Sequence, residues 1–133
     1  TAKELPKTQP EFFTEVEQAM EFRLEFANGA VADVWTGYDA NRAEFLAEAE
    51  KGWFKGERPV FSYRNLNITT SAKGKLDFGV FRQQQRHMDG VAQAFRDEQP
   101  VTCSGELGRR DMVIIDGIYE SIRTGKKVEL KYS

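Results

Sequence analysis

Between Met20 and Phe26 the chain alternates strictly: Met20, Phe22, Leu24 and Phe26 fall on one side, and Glu21, Arg23 and Glu25 on the other. A period of two predicts a strand with one apolar face. Asn28-Gly29 then turns the chain, and two hairpin registers compete for the next strand. A two-residue turn would set Leu24 opposite Asp33 and bury a carboxylate among apolar side chains, which costs several kcal/mol. A three-residue loop, Ala27-Asn28-Gly29 with the glycine left-handed, pairs Phe26 with Ala30, Leu24 with Ala32 and Phe22 with Val34. It also sets Arg23 opposite Asp33, so this is the register expected. The second face then carries Val31 and Trp35 among charged residues, more apolar than a fully solvated face. Cover by the chain's own loops and cover by another subunit both satisfy that face.

Farther along, residues 42 to 50 are rich in Ala and Glu, which favours helix by propensity, but they lie among strand-like segments and end near Gly52; the context favours strand. Gly52-Trp53-Phe54 and Val60-Phe61-Ser62-Tyr63 read as short aromatic strands interrupted by Gly56 and Pro59. Residues 65 to 75 read as a loop or an edge hairpin turning at Gly74. From Phe81 the period changes to that of a helix through Met88, Val91, Ala92 and Phe95, ending near Asp97. A second helix is expected from Gly108 to Thr124, through Met112, Ile115, Ile118 and Ile122, with Gly125 as its C-cap. The alternation of Val128, Leu130 and Tyr132 predicts a closing strand. Met88, Phe95, Ile115 and Ile118 are the residues expected to cover the apolar sheet face. The class is therefore α+β, strand-rich in its first part and helix-rich in its second.

Length and charge narrow the possibilities. The 133 residues fit a single domain, 40% hydrophobic and 30% charged with ten Phe, well outside the disordered class. A net charge of -2 gives no field for a polyanion, so no nucleic-acid partner is expected. No stretch reaches the roughly 20 apolar residues that cross a bilayer, and no membrane association is expected. The cytoplasm is the expected compartment, or the periplasm if an upstream signal has been removed. Cys103 is the only cysteine, read as a small, partly buried filler.

Chemistry-bearing motifs are few. Gly105-Glu106-Leu107-Gly108 is too short and too acidic for the glycine-rich turn that receives a pyrophosphate. One histidine and one cysteine leave no metal-ligating set, so no catalytic, cofactor-binding or metal residue is assigned. His87 and Gln85 sit in the polar run Gln83-Gln84-Gln85-Arg86-His87. That run is either a solvated first helical turn or one edge of a polyol pocket, because amide and imidazole groups pair well with hydroxyls. Tyr63 and Arg64 carry the same alternatives, sugar contact or ordinary sheet surface.

Three segments together resemble the glucose-fructose oxidoreductase, inositol dehydrogenase and MocA family. They are Glu21 through Ala32; Ala49-Glu50-Lys51-Gly52-Trp53-Phe54; and Gly105 through Met112 running on into Ile118 through Leu130. The resemblance covers nearly the whole chain from Leu5 onward. It implies the carboxy-terminal substrate and oligomerisation domain of a two-domain enzyme whose amino-terminal Rossmann domain, expected to precede Thr1, binds NAD or NADP. It further implies an α+β fold with a large, mostly antiparallel open sheet, helices on one face and the other face available for oligomerisation. It also implies reversible hydride transfer with a sugar or cyclic polyol and assembly into a dimer or tetramer through the open sheet face. In that family a Glu-Lys-Pro motif supplies a catalytic lysine. Glu50-Lys51 is followed by glycine, so the role is not carried over, and His87 does not match the family's acid/base position. The expected activity of this chain alone is none. The alternative is a stand-alone, non-catalytic binding or dimerisation module of the same fold.

Overall fold

A computed structural model describes residues 1–38, 42–58, 66–79 and 82–132. In chain order the elements are β1 (Ala2–Glu4), β2 (Ala19–Glu25), β3 (Val31–Gly37), β4 (Phe45–Ala49), β5 (Gly52–Glu57), β6 (Asn67–Thr70), β7 (Gly74–Leu76), α1 (Gln83–Arg96) and α2 (Gly105–Thr124). The class is α+β with open antiparallel sheets, one of three strands in the order β1-β2-β3 and one of four in the order β4-β5-β6-β7. Contacts gather the chain into two compact units, Thr1–Ala40 with Cys103–Ser133, and Asn41–Thr102.

In the first unit the hairpin takes the register that keeps Asp33 off the apolar face. Phe22 pairs with Val34, Arg23 with Asp33 and Leu24 with Ala32. The Phe26 N–H donates to the Ala30 carbonyl at 2.9 Å, and Gly29 has φ 85°, so the loop is Ala27-Asn28-Gly29 with its glycine left-handed. The Asn28 side chain accepts the Ala30 N–H at 3.1 Å and braces the turn. The third strand, β1, pairs antiparallel to β2, with Ala2 opposite Phe22.

The same unit holds α2, and it starts one turn earlier than its apolar period indicates. Ser104 is the N-cap: its hydroxyl accepts the Leu107 N–H at 3.4 Å, and Glu106 places a carboxylate in the first turn. Gly125, at φ 65°, closes the helix as expected. Ile118 is buried, whereas Ile115 is 41% exposed. Residues 126–132 do not form the expected closing strand. They still alternate, with Val128 and Leu130 half-buried and Glu129 and Lys131 exposed. A methyl group built on Gly117 would collide with Leu130 and touch Val128 at 3.8 Å, so the segment lies against α2 at a position that only glycine leaves open. The alternation therefore reports packing against a helix, where the sequence suggested a ladder.

The loop between β1 and β2 is organised by Gln18, which is fully buried. Its side-chain oxygen accepts the Thr8 and Gln9 N–H groups at 2.8 and 2.9 Å, and its amide nitrogen donates to the Thr8 hydroxyl at 2.6 Å. A buried amide with both ends satisfied fixes a loop that has no regular structure of its own.

In the second unit β4 confirms that context overrides the helix propensity of residues 42 to 50. Every residue of β4 is exposed, including Glu48. The strand β5 runs straight through Gly56, which is buried and pairs with both Phe45 and Ile68, so the glycine does not interrupt it. The hairpin β6–β7 occupies the sheet edge and turns before Gly74, in agreement with the edge-hairpin reading. α1 ends at Arg96 with Asp97 as its C-cap, and none of its residues is buried. Met88 and Phe95 are 68% and 74% exposed. Cys103 is exposed and fills no core position. The expected strand from Val60 to Tyr63 and the helix start at Phe81 lie outside the described residues.

Candidate functional site

Two features of the first unit have the geometry of a site. One is the outer face of β1-β2-β3. The register places Glu21, Arg23 and Glu25 of β2 beside Trp35, Asp33 and Val31 of β3 on that face. Arg23 donates to Asp33 in a fork, Nε to Oδ1 and Nη2 to Oδ2, both at 2.7 Å. This hydrogen bonding raises the Arg23 pKa and lowers that of Asp33. On either side lie Lys3 with Glu21, at 2.9 Å, and Lys127 with Glu25. The Lys127 contact lowers the Glu25 pKa. These pairs are exposed and contribute little individually, but they leave the face electrically balanced.

Val31 is 53% exposed on this face, and Trp35 is half-buried. The indole closely approaches Gly37: a Cβ there would come within 2.8 Å of its Cζ2 and 2.7 Å of the Ala19 Cβ. Gly37 thus permits a broad aromatic surface along the sheet, with Val31 four residues away and the Arg23–Asp33 fork between them.

The other feature is a cavity of about 560 Å³ where the end of β2, α2 and residues 127 to 132 meet. Leu24, Phe26, Ile114, Ile118 and Leu130 give it an apolar lining, and Glu25 and Lys127 also border it. Sequence reasoning did not find this cavity, because the residues that form it are separated along the chain and carry no shared motif.

Of the substrate residues expected from sequence, Gln85 and His87 are exposed on the first turns of α1. Two positions apart on a helix, they point about 200° apart around its axis. Gln85 shares a stripe with Met88 and Ala92, and His87 shares one with Val91 and Ala94. Tyr63 and Arg64 lie outside the described residues. Gly105-Glu106-Leu107-Gly108 lies inside α2, behind a Ser104 cap and with the Glu106 carboxylate at its amino end, an arrangement that opposes a pyrophosphate. The hydrogen bond from Ser104 lowers the Glu106 pKa and keeps that negative charge in place. Among the described residues no cluster of three or more His, Cys, Asp or Glu could hold a metal ion, and no helix is long and apolar enough to cross a membrane.

No protein-family model matches the chain. Among solved structures, it is similar to the crystal structure of aldose-aldose oxidoreductase from Caulobacter crescentus complexed with glycerol, with a TM-score of 0.87 at 24% identity. The match covers 98% of this chain and 40% of that one, so the chain spans well under half the length of the oxidoreductase. Over nearly its whole length the chain has the fold of part of that enzyme.

Proposed function

We propose that this chain is the substrate-side and assembly domain of an NAD(P)-dependent oxidoreductase acting on a sugar or cyclic polyol. The observation that carries the proposal is the fold likeness over 98% of the chain to an enzyme named for its action on aldoses. In this reading a carbinol carbon of the substrate gives its hydride to the nicotinamide, and the hydroxyl proton leaves to a base, so that alcohol becomes carbonyl. The cofactor supplies that redox chemistry. In this reading the nicotinamide is held by a separate Rossmann domain.

The role left to this chain is to wall the substrate and hold the assembly together. Either Gln85 or His87, which lie on different stripes of α1, supplies an amide or imidazole to the substrate's hydroxyls, and Tyr63 and Arg64 supply phenol and guanidinium groups of the same kind. Val31 and Trp35 form an apolar and aromatic centre bordered by satisfied ion pairs, the composition of an interface anchor. A two-fold contact through that face presents the same patch twice and makes a dimer, which a second interface would extend to a tetramer.

The test is turnover by the complete natural protein, following nicotinamide absorbance with a panel of aldoses and cyclic polyols. Oxidation of at least one, with KM raised in Gln85→Ala or His87→Ala and thermal unfolding unchanged, supports the reading. A protein with neither nicotinamide-dependent turnover nor cofactor binding would instead be a non-catalytic module of the same fold.

A further inference from the structure

The loop that sets the hairpin register also brings together the two reacting groups of a covalent change. Asn28 carries a side-chain amide, and the next residue is Gly29. When the backbone nitrogen after an asparagine attacks the side-chain carbonyl carbon, a five-membered ring closes, and glycine resists that attack least because it has no Cβ. The other three asparagines precede Arg42, Leu66 and Ile68, whose side chains hinder the same approach. Ala27, Asn28, Gly29 and Ala30 are all exposed, so water and hydroxide reach the loop. Apart from its chain neighbours, no atom lies within 4 Å of the place a Gly29 Cβ would take.

Two hydrogen bonds act on the reacting groups in opposite senses. The Ala30 N–H donates to the Asn28 Oδ1 at 3.1 Å, which polarises the carbonyl under attack and favours the negative charge that grows on its oxygen. The Gly29 N–H donates to the Phe26 carbonyl at 2.9 Å, which retains the proton that the attacking nitrogen has to lose. The geometry points to Asn28 as a self-modification site, converting to aspartate and isoaspartate when the Gly29–Phe26 bond opens. Hydroxide takes the Gly29 proton, the nitrogen forms a bond to the Asn28 Cγ, the Cγ–Nδ2 bond breaks, and Nδ2 leaves as ammonia with a proton from water. A second water opens the resulting succinimide. Cleavage at Cγ gives aspartate, and cleavage at the backbone carbonyl carbon gives isoaspartate. Nothing is oxidised or reduced.

The two products differ in what they do to the hairpin. An aspartate at this position keeps an oxygen where the Ala30 N–H donates, so the brace survives. Isoaspartate routes the main chain through Cβ and Cγ and lengthens the loop by one carbon. Phe26 and Ala30 then no longer meet in the geometry of their 2.9 Å bond, which closes the register that sets Val31 and Trp35 on one face. Conversion therefore loosens the end of that face as the protein ages.

Ageing the natural protein at mildly alkaline pH, with and without urea, tests the site by peptide mass spectrometry that separates aspartate from isoaspartate. Conversion at Asn28 in both samples, ahead of the other asparagines and slower in the folded protein on the order of tenfold, is the expected result. No conversion, or equal rates in the two samples, would overturn the proposal. Amide hydrogen exchange at Phe26 reads the consequence for the hairpin. Protection lost in the aged protein in proportion to its isoaspartate, and kept in Asn28→Asp, is expected. Protection kept in both, or lost in both, would contradict the difference between the two products.

Discussion

The hydroxyl of Ser121 accepts the backbone N–H of Ala2 at 2.9 Å and donates to the Lys126 carbonyl at 2.7 Å. One buried side chain on α2 thus ties the first strand of the sheet and the segment after the helix to the same point, although Ala2 and Ser121 are 119 residues apart. Ser121 is 3% exposed, so its loss leaves the part-buried Ala2 N–H without that partner. Ser121→Ala should destabilise the domain by about 1–3 kcal/mol, measured by urea unfolding. A change within about 0.5 kcal/mol would show that water or a shifted backbone replaces the bond.

The fork from Arg23 to Asp33 makes the hairpin sensitive to acid. Hydrogen bonding lowers the folded pKa of Asp33. Its contribution is therefore present above the unfolded carboxylate pKa and is lost as the pH falls through the depressed folded value. Glu25, lowered by Lys127, acts in the same direction. Because the pairs are exposed, the effect is small and weakens with salt. The stability gap between the parent and Asp33→Asn should narrow as the pH drops from neutral to below the ordinary carboxylate range. A gap independent of pH would show that the fork does not stabilise the hairpin.

If the outer sheet face drives assembly, Trp35→Glu should cost association on the order of 2 kcal/mol. Val31→Glu, at a position 53% exposed, provides a second variant that disturbs the fold less. Sedimentation velocity on both variants and the parent is the measurement. A monomeric parent, or variants that associate as well as the parent, would show that this face does not hold copies together.

The hairpin was legible because one residue arbitrates. Asp33 satisfies its charge in only one register, and that register fixed the loop, the left-handed Gly29 and the composition of both faces. The strand character of residues 45 to 49 was legible from context, against helix propensity. Less could be read where the determinant is remote. The strand β1 is three residues long and exists because β2 lies beside it, so its own pattern carries no signal. The start of α2 depends on the Ser104 cap, which an apolar period does not register. The segment from Val128 to Tyr132 shows a genuine alternation, but whether such a pattern becomes a strand depends on a neighbour supplying backbone partners. Gly56 reads as a break in the sequence, yet a buried glycine between two paired strands lets backbones approach where a side chain would not.

The interface candidates Val31 and Trp35 emerge directly from the register, and the structure adds that Gly37 leaves the space the indole occupies beside it. The substrate candidates had no comparable support. Amides, imidazoles and guanidinium groups are common on solvated surfaces, and their spacing along a polar run does not indicate which side of α1 they occupy. Gln85 and His87 point in different directions for that reason.

In the proposed division of labour this chain supplies the substrate side of an oxidoreductase and leaves nicotinamide binding to another domain. The decisive measurement is titration of NADH and NADPH fluorescence against the 133-residue chain and the complete natural protein, side by side. Saturable binding by the complete protein and none by the chain alone is the expected result. Saturable binding by the chain alone, or by neither protein, would overturn that division.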